Sequence, residues 1–291
     1  MIKGTLAERM QRLTESRTQY VVATVVRARH PTSVRPGDSA VVLADGTIEG
    51  FVGGACAESS VRLYSLRALE TGEAVLLRLV PGDATDQDAD DGIDGAVVEH
   101  NPCLSGGALE IFLEPQLPAT RMAIVGSSPI AGALARVAGA AGYDVANGSA
   151  PIDEAAAVVV ASHGADEERV LADALRAGVP YVALVASSKR GEAVRESLDI
   201  PGELRAQLHT PAGLDLGGST PEEVAISILA QFVAEYHTHP VAQSATTAVD
   251  PVCGMQVAAT GETAFFDVEG ERLYFCSGGC RDAYAARDAA G

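Results

Sequence analysis

The hydrophobic pattern of the chain changes character twice. In its first stretch the apolar runs are short and mixed. Residues 5–18 read as a short helix, and Tyr20–Val26 is a β-branched run of the kind a buried strand requires. Ser39–Ala44 and Thr47–Val52 are two further strands around Asp45-Gly46, a dipeptide that favours a type I′ hairpin turn. A helix follows from Ala57 to about Thr71 and is ended by Gly72. Val75–Val80 and Ala108–Leu113 read as strands. Between them, residues 82–95 carry six Asp and read as a solvated loop. These elements make an α+β domain ending near Pro118.

From there strands and helices alternate. Met122–Val125 is a strand, Gly126 a turn and Ile130–Ala141 an Ala-rich helix. Ala155–Ala161 and Tyr181–Val185 are apolar strands, each followed by a helix, over Asp166–Ala177 and Ser188–Leu198. That alternation predicts a doubly wound, Rossmann-like parallel sheet over residues 119–236. Its last helix has a capping box, with Thr220 at the N-cap, Pro221 in the first turn and Glu223 reaching back. Apolar residues recur at 225, 228, 229, 232, 233 and 236, which is one helical face. The pattern then stops. Residues 237–249 are polar and aperiodic and read as a linker, with His237 and His239 as solvated linker residues or, alternatively, as a fourth ligand to the thiols that follow. Residues 250–291 form a separate small module. The fold class is thus α/β, with an α+β domain over 1–118, a Rossmann-like domain over 119–236 and a small Cys-containing module at the end.

Composition sharpens this picture. The chain has 291 residues, enough for two or three domains; 47% are apolar, but only 4% aromatic, and there is no Trp. Small aliphatic residues must therefore make the core. A formal net charge of −18 argues against nonspecific binding to nucleic acid or anionic membrane, which would repel the chain. The N-terminal residues lack the apolar stretch of a secretory leader, and no run is long enough to span a bilayer. Five cysteines cannot all pair within one chain, so reduced thiols and a cytoplasmic location are expected.

Three of those thiols carry the sharpest chemical signal. Cys253 lies in D-P-V-C-G-M, and Cys276 and Cys280 lie in Y-F-C-S-G-G-C. Two thiols at i, i+4 with a third upstream is ligand spacing for a soft metal, zinc or copper. A second signal is V-G-G-A-C-A-E at 52–58, where Gly53 and Gly54 turn the backbone into a helix start. The N–H groups there would cradle an anion beside Cys56, whose thiolate the helix dipole favours. Arg35, in R-P-G-D, would add a positive charge, and Cys103, in C-L-S-G-G, would face Cys56 across a pocket. The competing reading is an ordinary turn with small inward-packed cysteines. In the Rossmann-like half, V-G-S-S-P-I-A-G keeps Gly126 but puts Ser128 where a dinucleotide turn wants its next Gly, and no acidic residue ends the second strand. A working NAD(P) site is therefore not expected. His163, Lys189 and Arg190 follow later strands, where α/β sheets bind ligands; the two cations would suit a phosphate or form a solvated helix cap, and His163 is a proton shuttle or, by preference, a capped turn residue.

The stretches R-P-G-D, G-G-A-C-A-E, C-L-S-G-G-A-L-E-I-F-L-E-P and A-G-L-D-L-G-G-S-T-P-E-E-V-A-I-S-I-L-A resemble the XdhC/CoxI family of xanthine dehydrogenase accessory proteins. The segment 250–288 resembles the YHS domain, a small module related to proposed heavy-metal-binding domains. The first resemblance implies an accessory protein, not itself a turnover enzyme. Such a protein binds molybdenum cofactor (molybdopterin) and helps deliver it, sulfurated, to a molybdenum hydroxylase such as xanthine or carbon monoxide dehydrogenase. It implies the hydroxylase large subunit as partner, with a cysteine desulfurase as a further one, and a homodimer is the expected assembly. It also makes Cys56 the residue that binds molybdenum or relays sulfur. Two alternatives stand beside it: an NAD(P)-dependent oxidoreductase, and a thiol-based heavy-metal sensor or metallochaperone.

Overall fold

The structure, a computed structural model, describes residues 2–82, 96–101, 107–147, 152–162, 164, 166–236, 246–268 and 270–288. Among these, no helix is long and apolar enough to cross a membrane. The chain divides into two compact units. Residues up to Pro118 fold together with those from Ala242 onward, and Ala119–Val241 make the second unit.

The first unit is built on a six-stranded sheet. Its strands are β1 (Tyr20–Arg29), β2 (Ser39–Leu43), β3 (Ile48–Gly50), β4 (Val75–Pro81), β5 (Ala96–Asn101) and β6 (Ala108–Gln116), in the order β3-β2-β1-β6-β4-β5. All neighbours are antiparallel except β4 and β5. The period-2 alternation of side chains decides what covers each face. Tyr20 and Val41 point to the face covered by Leu13 of helix α1 (Ile2–Glu15). Val21, Ala23, Ala40 and Val42 point to the other, where they pack with Val61, Leu63 and Ala68 of helix α2 (Ala55–Thr71). Gly72 ends α2 in the left-handed region, φ +73°, its N–H closing on the Ala68 carbonyl.

The tail adds two short hairpins and a helix to this unit. They are β12 (Thr247–Val249) with β13 (Gln256–Ala258), β14 (Ala264–Val268) with β15 (Glu271–Phe275), and a closing helix, Gly278–Asp288. Strand β13 lies on α2. Ala258 is counted in the same buried core as Val61 and Leu63, and the Arg67 guanidinium donates to Gln256 Oε1 at 3.1 Å.

The second unit is a five-stranded parallel sheet, β7 (Arg121–Val125), β8 (Asp144–Asn147), β9 (Ala157–Val160), β10 (Tyr181–Leu184) and β11 (Leu208–His209), in the order β11-β10-β9-β7-β8. Numbered from β7 this is 2-1-3-4-5, a doubly wound order whose direction reverses between β7 and β9. Both faces are covered, so the central strands β9 and β10 are buried at every position. Met122, Ala157 and Val159 pack under helices α3 (Pro129–Ala140) and α7 (Pro221–Tyr236). Ala123, Val158 and Val160 pack under α4 (Glu167–Arg176) and α5 (Ser188–Ser197). A short helix, α6 (Gly202–Arg205), precedes β11.

Three local expectations are corrected. The Asp45-Gly46 turn is not type I′, because only Gly46 takes a positive φ, +90°; its N–H bonds the Leu43 carbonyl at 2.9 Å in a three-residue loop closed by a left-handed glycine. Strand β5 was not expected, and it pairs in parallel with β4 across the Asp-rich segment. The last three residues of the expected linker form β12. The Asp-rich residues 83–95 and His237 and His239 lie outside the described residues.

Candidate functional site

The tail thiols converge because one carboxylate organises two distant loops. Asp250 is fully buried. Its Oδ1 accepts from the Val252 N–H at 2.8 Å and the Cys253 N–H at 3.3 Å, while Oδ2 accepts from the Cys276 N–H at 2.8 Å. Gly254, at φ +78°, turns the chain straight after Cys253, and its N–H returns to the Asp250 carbonyl at 2.8 Å. The Sγ of Cys276 then stands 3.6 Å from that of Cys253 and 3.6 Å from that of Cys280. All these sulfurs and an Asp250 oxygen lie within 4.8 Å of one another. Burial raises the Asp250 pKa, but the N–H groups of Cys276 and Val252 outweigh it and hold the carboxyl below its usual range. The thiols move the other way. Cys253 is raised, chiefly by burial. Cys276 is raised first by its hydrogen bond with Cys56 and then by burial. Cys280 is pushed up to about 11 by burial and by Cys276. A soft cation reverses this order, since thiols that bind it give up their protons.

Cys56 lies beside this cluster. It is half-buried in the first turn of α2 and packs against the buried patch of Met255, Val257 and Cys276, while the four donors within 4.8 Å of one another are Asp250 and the three tail cysteines. The turn before it depends on Gly53, whose φ is +143° and where a Cβ would lie 2.8 Å from the Ala57 Cβ. Gly54 caps the helix without a side chain, so the first N–H groups of α2 have no side-chain cap. Behind Cys56, the Ser60 hydroxyl donates to Glu99 Oε1 at 3.0 Å. Burial raises the Glu99 pKa against the opposing bonds from Ser60 and Tyr64.

The second unit holds a cleft of about 710 Å³ at the carboxyl ends of β7, β9 and β10. Ser128, Ser162, Ser187, Ser188, Arg190 and the Gly-rich run 213–218 line it. Gly126 brings the turns after β7 and β9 together; a Cβ there would lie 2.4 Å from the Ala161 carbonyl oxygen. The Ser128 hydroxyl accepts from the Ala131 N–H at 3.2 Å, and the Ser187 hydroxyl from the Arg190 N–H at 3.4 Å, so each caps a helix. Under the rim, the buried Glu167 carboxylate accepts from the Ser162 hydroxyl at 2.7 Å and the Gly164 N–H at 3.0 Å, and pairs with the Arg190 guanidinium. Burial raises the Glu167 pKa, and these three donors together outweigh it, leaving the carboxyl below its usual range.

A family model described as the XdhC and CoxI family matches residues 13–79, and one described as the XdhC Rossmann domain matches residues 122–232. The chain belongs to the XdhC/CoxI family. Among curated proteins, the Escherichia coli (strain K12) "Uncharacterized protein YqeB" is 26% identical over 261 residues, which cover 79% of this chain and 46% of YqeB. The chain thus spans about half the length of that relative. Among solved structures, a Bacillus halodurans protein described as a xanthine dehydrogenase is similar at 15% identity and a TM-score of 0.35, over 81% of this chain and 97% of that one.

Within this XdhC/CoxI chain the sequence-expected residues fall into two groups. Gly53, Gly54, Cys56, Cys253, Cys276 and Cys280 come together in the first unit. Gly126, Ser128 and Arg190 come together in the second. Arg190 lines the cleft, where its partly exposed guanidinium is paired with the buried Glu167. Lys189 is exposed and outside the cleft lining. Arg35 is exposed in its own turn, where its N–H donates to Asp38 Oδ2 at 2.8 Å. Cys103 and His163 lie outside the described residues. Sequence reasoning missed Asp250, Glu167 and the capping role of Ser187. The Asx-turn signal in D-P-V-C was available for the first.

Proposed function

We propose that this protein is a molybdenum-cofactor-binding maturation factor that delivers sulfurated cofactor to a molybdenum hydroxylase such as xanthine or carbon monoxide dehydrogenase. Membership of the XdhC/CoxI family supports this reading, and the cleft in the Rossmann domain is the observation that carries it. Its volume falls in the range of pockets that enclose a cofactor-sized molecule. It sits at the carboxyl ends of parallel strands beside a topological switch point, where such sheets bind anionic ligands. The two N-capping serines and the partly exposed Arg190 offer polar contacts for a pterin and its phosphate. Ser128 occupies the helix N-terminus that a dinucleotide pyrophosphate would take, which weighs against NAD(P).

Cys56 is assigned the sulfur chemistry, as ligand to molybdenum or as receiver of sulfur from a cysteine desulfurase. The tail trio Cys253, Cys276 and Cys280 is assigned a soft metal, zinc or copper(I), on the closeness of its sulfurs. The test of the main reading is binding of molybdopterin to anaerobically purified protein, scored by the fluorescent oxidised pterin that co-elutes. Ser188→Trp, which fills the cleft from an exposed helix start, should weaken retention at least about tenfold. Wild-type protein that retains no pterin overturns the reading.

A further inference from the structure

Among the described residues, one juxtaposition is unused by the function above. Cys56, from the first domain, packs against the tail's buried patch of Met255, Val257 and Cys276, about two hundred residues further along the chain. We propose that Cys56 is the fourth thiolate of a single tetrahedral soft-metal site completed by Cys253, Cys276 and Cys280. Occupancy of that site then clasps the tail onto α2 and withdraws Cys56 from cofactor chemistry. The proposal rests on the tail trio binding metal, and it adds the fourth ligand and its consequence.

The geometry of the tail trio matches such an ion. Zinc–thiolate bonds of about 2.3 Å put neighbouring sulfurs about 3.8 Å apart in a regular tetrahedron. The two sulfur–sulfur separations of 3.6 Å are close to that edge and far from a disulfide bond. The trio supplies three corners. Among the described residues Asp250 is the other nearby donor, and both its oxygens already accept backbone N–H groups. A metal on Oδ2 would compete for the same oxygen with the buried Cys276 N–H that it accepts. A soft ion also prefers sulfur to carboxylate. Asp250 is therefore the organiser of the site and Cys56 its fourth ligand.

Electrostatics favours the same set. Four thiolates around a divalent ion leave a net charge of −2, in a chain already at −18. Two helices of the same unit begin with these ligands: α2 carries Cys56 in its first turn, and the closing helix Gly278–Asp288 carries Cys280 in its own. Their positive ends offset that charge. The seat is fixed as well, because Ala258 is buried in the core of the first domain and Arg67 holds Gln256. Binding exchanges thiol protons for the metal, and no electron is transferred.

The test uses the full chain, reduced, freed of metal and kept anaerobic. Zinc and cobalt(II) are titrated in; stoichiometry, affinity against a chromophoric chelator and the cobalt–thiolate charge-transfer band are read. In parallel, alkylation of each cysteine is followed by mass spectrometry. One metal per chain is expected, with Cys56 protected from alkylation at least about tenfold. Cys56→Ser should weaken binding at least about tenfold and lower the charge-transfer band by about a quarter, one thiolate in four. In a Cys253→Ser/Cys276→Ser/Cys280→Ser variant, metal should no longer protect Cys56. The protection assay on wild-type protein needs no variant to fold. One metal bound with Cys56 freely alkylated and the Cys56→Ser spectrum unchanged overturns the fourth-ligand assignment and leaves the tail site standing. No metal bound by wild-type protein overturns both. Pterin retention is a separate readout and is blind to either failure.

Discussion

Replacing Asp250 tests whether one carboxylate assembles the thiol cluster. In Asp250→Ala three backbone N–H groups lose their acceptor. They are not equivalent. Val252 and Cys253 are half-buried, so water replaces much of what their donors lose, about 0.5–1.5 kcal/mol for each bond. The Cys276 N–H is in a residue only 4% exposed, and an unpaired buried donor costs about 1–3 kcal/mol. Local destabilisation of the tail should thus reach about 3 kcal/mol, which is more than a hundredfold in its opening equilibrium. Asp250→Asn separates the two sides. Its amide oxygen can serve either the Val252–Cys253 turn or Cys276, while its NH₂ opposes the other donor. It should therefore retain part of the protection and no more. Hydrogen exchange read by mass spectrometry over residues 246–288 measures the opening directly. Full protection of the Cys276 amide in Asp250→Asn would refute the reasoning, because the site would then not depend on a two-sided acceptor.

Other consequences can be checked on the same protein. Gly126→Ala should destabilise the second domain by at least about 2 kcal/mol in urea unfolding, since φ is +123° and the new Cβ meets the Ala161 carbonyl oxygen at 2.4 Å; pterin retention should fall with it. Thr220→Ala removes the hydroxyl that accepts the Glu223 N–H at 3.3 Å and should cost about 1 kcal/mol by the same measurement. Glu99 has a raised folded-state pKa because burial opposes its charge. Its contribution is therefore fully present below the unfolded carboxyl pKa and is lost as pH rises through the folded one. Urea midpoints of wild type and Glu99→Gln should diverge in favour of the variant as pH is raised from 4 to 8, and parallel profiles would show that the burial of Glu99 carries no penalty.

What could be read from the sequence divides along the range of the interactions involved. The α7 capping box was legible to the residue, because its reciprocal bonds join positions three apart: Glu223 N–H to Thr220 Oγ1, and Thr220 N–H to Glu223 Oε2 at 3.0 Å. The left-handed end of α2 at Gly72 and the apolar strands β7, β9 and β10 were legible for the same reason, since period and punctuation act within one element. Strand β5 escaped because A-V-V-E-H-N is a half-buried edge whose partner, β4, is set by a parallel pairing that no short-range signal announces. Glu167 escaped because an acidic residue at a helix start ordinarily faces water, and only the fold shows that Ser162, Gly164 and Arg190 surround it. Cys56 and the tail cysteines were each visible as chemistry, but in separate domains. Their meeting is decided by Ala258 entering the core beside α2, a packing choice between residues nearly two hundred positions apart. A long-range apolar contact therefore places Cys56 beside the tail, and the proposed fourth-ligand role of Cys56 depends on how the tail docks as much as on the helix on which it stands.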